Sequence, residues 1–180
     1  QRLFRNVPVF RDNHLRRMGA MRFYKSAIVL VTVGLLTACA SDSAKTSAEN
    51  PQATVDARKA LMQSILTDLK VVVAYIQGKS DDTALVAKAA QGISAKASSI
   101  PDAFRAEVHA GNSGAVKTRV APLIWSQWND FSQAAANLKQ SSDALSKGAA
   151  AGDWKAIEAG FEAVEKSCGA CHKQFRAKKP

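Results

Sequence analysis

The chain has 180 residues, enough for one domain with appendages, and carries 25 Lys and Arg against 15 Asp and Glu. Seven of those cations and one acid fall in residues 1–39, so the 18 basic and 14 acidic side chains that follow carry only +4. They are scattered, apart from Lys173, Arg176, Lys178 and Lys179, and offer nucleic acid no basic stripe to bind.

The first twenty residues, Gln1 to Ala20, hold five arginines and one aspartate and read as an extension upstream of the true start, which is Met21 or, less well, Met18. Residues 21–39 have the layout of an export signal: Arg22 and Lys25 in front, an apolar run from Ala27 to Leu36, then small residues. The run is too short for a spanning helix, which needs about twenty apolar residues. Leu36-Thr37-Ala38-Cys39 resembles a lipobox, which predicts a lipid anchor through Cys39. Ala38-Cys39-Ala40 also serves as an ordinary cleavage site, cut after Ala40. Either way Cys39 is used or removed at the membrane, the protein is expected in the periplasm, and Cys168 and Cys171 are the thiols left in the folded part.

Residues 40–52 are rich in Ser, Ala, Thr and Asn and read as a flexible tether. Residues 53–180 form the domain. A first helix is predicted over about Thr54 to Gly78, where Met62, Leu66, Leu69, Val73 and Ile76 share one face. A second, over about Asp82 to Ser99, carries a small-residue face of Leu85, Val86, Ala89, Ile93 and Ala97, and Pro101 ends it. Ala103 to Thr118 reads as a long connection. A third helix starts near Pro122 and continues through Ile124, Trp128, Phe131, Ala135, Leu138 and Leu145, until Gly152-Asp153 supplies a stop and a new N-cap.

The fourth helix lines up Trp154, Ile157, Phe161, Val164, Cys168, Cys171 and Phe175, so both cysteines continue its apolar face. Four such helices make an all-α, antiparallel four-helix bundle. Cys168-Gly-Ala-Cys171-His172 is the C-x-x-C-H pattern of covalent haem c attachment, one haem per chain and near the C-terminus. Thiols at i and i+3 on one helical turn reach the two vinyl groups of one porphyrin edge, and the adjacent imidazole reaches the iron. A zinc site needs more ligands, and beyond this cluster and the leader only His109 remains. A thioredoxin-like redox pair expects a βαβ context that is absent here, and a disulfide inside a regular helix is strained.

The placement of this motif, its continuation into Phe175-Arg176, the Arg58-Lys-Ala-Leu-Met62 element of the first helix and Pro122-Leu-Ile-Trp125 at the third together resemble the class II c-type cytochromes, the cytochrome c-prime family. The resemblance covers about residues 53–179. It implies that Cys168 and Cys171 form the thioethers, that His172 is the proximal iron ligand, that Arg58 lies near the haem propionates and that Arg176 covers the proximal imidazole. Arg58 has a plainer alternative as a solvated helix charge, and Arg176 as a cation favoured by the helix dipole.

Met62 falls where the family sets a side chain over the distal face. A ligated thioether there suits electron transfer, whereas a Met that only packs leaves iron five-coordinate and open to nitric oxide or other small gases. The expected function is one-electron transfer by an exported monohaem cytochrome, with gas binding as the alternative and no enzymatic activity. A cysteine-pair oxidoreductase survives only if haem is absent. The redox partner proteins stay unnamed, and family members often dimerise, so a homodimer is an open expectation.

Overall fold

The computed structural model describes residues 50–114 and 116–178. The upstream extension, the export signal, Cys39 and all of the tether before Asn50 lie outside the described residues. Within them run six helices: α1 (Pro51–Ile76), α2 (Thr83–Ser98), α3 (Ile100–Ala103), α4 (Leu123–Ser126), α5 (Trp128–Ala150) and α6 (Trp154–Phe175). The four long ones are the four expected helices, and the architecture is an all-α antiparallel bundle.

Local chemistry explains their ends. Asn50, Asp82 and Asp153 each cap a long helix by accepting a backbone N–H at 3.1, 2.9 and 3.1 Å, from Ala53, Leu85 and Ala156. Gly78 and Gly152 stop α1 and α5 at φ of +69° and +66°, the left-handed conformation that glycine adopts at little cost. Two single turns are additional to the expected elements. The third helix does not run unbroken from Pro122: Gln127, at φ −121° and ψ 47°, separates α4 from α5. The break follows the indole of Trp125, whose Nε1 donates to the Phe104 carbonyl at 3.0 Å and holds α4 against the connection.

The buried stripe of α1 differs from the expected one. Val55, Arg58, Ile65 and Val72 are buried, with Met62, Leu69 and Ile76 half-buried between them. The stripe steps 55, 58, 62, 65, 69, 72, 76 as a regular heptad pattern. Leu66 therefore points out at 43 % exposure, and Ile65 and Val72 take the places expected for Leu66 and Val73. Leu85 and Trp154, also expected to face inward, are each 45 % exposed at the first turn of their helices.

Backbone packing closes three sides of the bundle: α1 on α2, α2 on α5, and α5 on α6. Between α2 and α5, Ser94 donates to Asp143 at 2.5 Å, and Ser146 to the Ala87 carbonyl at 3.2 Å. Between α5 and α6 the approach is tight enough to need glycine, since a Cβ on Gly160 would stand 2.8 Å from the Leu145 Cα. On the fourth side the backbones of α1 and α6 stay further apart, and Tyr75 meets Trp154 with ring centroids 5.6 Å apart. None of the described helices is long and apolar enough to cross a membrane.

Candidate haem-binding site

Cys168, Cys171 and His172 occupy the last two turns of α6. Both thiols are free and half-buried against the apolar core, while His172 is exposed beside them. Gly169 and Ala170 are exposed, and a Cβ on Gly169 would meet nothing within 4 Å. Burial raises the pKa of Cys168, helped by the charge of Glu165, and burial together with Cys168 raises that of Cys171 to about 11. Both are neutral thiols at physiological pH, the opposite of the low-pKa thiolate that a redox-active C-x-x-C needs. Desolvation lowers the pKa of His172, and the charges of Arg176 and Arg119 add to it, which favours the neutral imidazole that can bind a metal.

The Tyr75–Trp154 ring pair sets the register across the open side. Because α1 and α6 run antiparallel, about thirteen residues back from Tyr75 reaches Met62, and the same step on from Trp154 reaches Ser167. At about 1.5 Å per residue, Met62 and Cys168 stand level, roughly 20 Å from the ring pair. Met62 lies in the buried stripe of α1 and packs against the same core as the two cysteines.

An aromatic cluster fills the bundle at this end. Phe131 lies 5.2 Å from Phe104, 5.3 Å from Phe175 in an edge-on arrangement, and 5.8 Å from Trp128. Arg58 reaches this cluster from α1. It is only 3 % exposed, with its guanidinium 4.7 Å from the Phe104 ring and 5.7 Å from that of Trp125. Its Nε, Nη1 and Nη2 donate to the carbonyls of Ala103, Val108 and Ala106 at 3.0, 2.8 and 2.5 Å. Burial lowers its pKa to about 10, which leaves it charged at neutral pH. Arg58 is therefore not the solvated helix charge offered as its plainer reading. It is a clamp on the α3–α4 connection, a role that sequence reasoning missed although its heptad position next to Val55 and Met62 signals it.

His109 is committed elsewhere. It is buried against Trp125, its Nδ1 accepts from Gly111 N–H at 3.0 Å, and its Nε2 stands 3.6 Å from Glu107. Arg176 extends past the end of α6, exposed, and its backbone bridges Val120 in the connection. Among the described residues no group of three or more His, Cys, Asp or Glu side chains gathers as a metal ion's ligand set would.

These residues fit a covalently held haem: two neutral thiols one turn apart, a neighbouring neutral imidazole, an opposed methionine and an aromatic wall, on the one bundle side whose backbones do not close up. Comparison with known proteins agrees. The family model of cytochrome c' matches residues 53–176. The cytochrome c' of Allochromatium vinosum is 27 % identical over 154 residues, spanning 86 % of this chain and 99 % of that protein. A cytochrome c-556 of Agrobacterium tumefaciens is 30 % identical over 126 residues, spanning 69 % of this chain and 98 % of the other. Among solved structures, the cytochrome c' from Thermochromatium tepidum superposes with a TM-score of 0.63 at 28 % identity, over 72 % of this chain and 98 % of that one.

Proposed function

This chain belongs to the cytochrome c' family, whose members bind haem c covalently, and from that premise we propose that it is an exported one-electron carrier of the periplasm. Bound haem supplies an iron that gains and loses one electron without making or breaking bonds in a substrate. Cys168 and Cys171 would anchor its edge to α6, and His172 would supply a nitrogen ligand to its iron. Met62 offers its sulfur from α1 across the open side of the bundle. Arg58 holds the α3–α4 connection in place, and the N–H groups that its three carbonyl bonds leave over on Nη1 and Nη2 would be its donors to the haem propionates. Arg176 screens the exposed imidazole. A Cys39 lipid anchor, followed by the 40–52 tether, would keep this carrier at a membrane surface.

The register that sets Met62 level with Cys168 carries the reading. A thioether ligand raises the reduction potential and blocks the site to gases. The second reading, a five-coordinate gas binder, draws on the fact that Met62 already packs against the apolar core, as a filler would. The spectra of wild type and Met62→Leu separate them. Ligation predicts a low-spin wild type with the weak far-red ferric band of sulfur coordination and slow carbon monoxide binding. Met62→Leu should then turn high-spin, bind the gas readily and fall in potential. A wild type that is already high-spin and binds gas at once assigns Met62 to packing and the protein to gas binding.

A further inference from the structure

Four cations, Lys173, Arg176, Lys178 and Lys179, cluster near the end of the sequence, and the structure gives the first three company. The segment that follows α6 pairs with the segment that precedes α4. Ala121 N–H donates to the Phe175 carbonyl at 3.1 Å, Ala177 N–H donates to the Arg119 carbonyl at 2.8 Å, and Val120 bridges Arg176. The Arg119 side chain closes this clasp, its Nε donating to the Ala177 carbonyl at 2.8 Å. Lys117 and Arg119 are thereby brought alongside Arg176 and Lys178, with Lys173 less than two helical turns back beside His172.

The clasp has one sign of charge. No Asp or Glu occurs between Val108 and Asn129, or anywhere after Glu165. The nearest acids along these elements are committed elsewhere or stand at their margins: Glu107 faces His109, Glu165 acts on Cys168, and Asp130 lies in the first turn of α5. None of the five cations is in a salt bridge among the described residues, although Lys59, Lys96, Arg105 and Lys139 all are. Lys117, Lys173, Arg176 and Lys178 are exposed and Arg119 is half-buried. Cations without acidic partners, gathered at the rim of the proposed redox site, attract rather than stabilise. Their field reaches about 10 Å at 0.1 M salt and steers encounter more than it adds affinity.

We propose that this clasp is the docking surface for a carboxylate-rich face of the protein that exchanges electrons with this chain, and that it brings that face to the edge of the bundle where His172 stands. The proposal rests on the haem reading above, and its test reads the two separately. The reduced protein is oxidised in a stopped-flow instrument by hexacyanoferrate(III), an anion, and by tris(phenanthroline)cobalt(III), a cation, from low to high salt. The anion's rate should fall by about tenfold as salt rises and the cation's should rise. The triple variant K117E/K173E/K178E, which spares the two arginines of the clasp, should invert both trends. Reversals at Lys147 and Lys155, exposed at the far end of the bundle, should leave them unchanged.

Poly-L-glutamate stands in for the partner's surface. At low salt it should bind wild type and not the triple variant, a measurement that reads the protein itself and holds even for a colourless preparation. Salt trends that the triple variant leaves unchanged, or poly-L-glutamate binding that it does not weaken, would overturn the proposal. Sedimentation with phosphatidylglycerol vesicles in the absence of poly-L-glutamate binding would overturn it in favour of a lipid surface.

Discussion

Arg58→Leu removes the clamp on the α3–α4 connection while keeping the apolar stem that packs in the stripe. Three carbonyls lose a charged donor: Val108 at a buried site, Ala103 and Ala106 at partly buried ones. A buried polar group left unsatisfied costs about 1–3 kcal/mol, and the partly buried two recover some of that from water. The guanidinium stack on Phe104 adds about 0.5–1 kcal/mol. Together these put the loss near 3–4 kcal/mol, or roughly 10–15 °C in Tm for a domain of this size. Denaturant melts followed by far-UV circular dichroism measure it, and amide exchange should quicken at residues 103–109 before the rest of the bundle. Arg58→Lys should recover part of the loss, since an ammonium cannot reach three divergent carbonyls. A change of less than about 0.5 kcal/mol, the range of an ordinary surface substitution, would refute the clamp.

Gly160→Ala should cost about 1–3 kcal/mol through overpacking, because its Cβ would stand 2.8 Å from Leu145 Cα in a helix pair that cannot part without moving the cysteines; an unchanged melting midpoint would show that α5 and α6 yield easily. Cys39→Ser should release the protein from the detergent phase into the aqueous phase, whereas a wild-type N-terminus at Ser41, read by mass spectrometry, would show ordinary signal cleavage instead.

Much of the fold was legible because it rests on local rules. Asp82, Gly78 and the Gly152-Asp153 break carry their own backbone chemistry, and heptad spacing alone marks the four helices. The inward face of α1 was harder. Leu66 and Val73 are as apolar as Ile65 and Val72, and only the buried Arg58, extending the stripe back to Val55, fixes the rotation. The family resemblance set Arg58 beside the haem propionates, and its role as a clamp was not legible because its three carbonyl partners lie 45 to 50 positions away along the chain. The proposed haem-binding residues, Cys168, Cys171 and His172, could be picked out because C-x-x-C-H needs a fixed local spacing. The clasp could not, because its cations are gathered only through the pairing of two segments more than fifty residues apart.

The mass of the denatured, exported protein tests the central claim most directly. If Cys168 and Cys171 hold haem c through thioethers, the unfolded chain keeps its colour, its mass exceeds that of the processed polypeptide by one haem, and the added mass maps to the peptide carrying residues 168–172. Replacing both cysteines with alanine should remove it. A colourless wild-type chain of unmodified mass, exported and folded, would contradict the account.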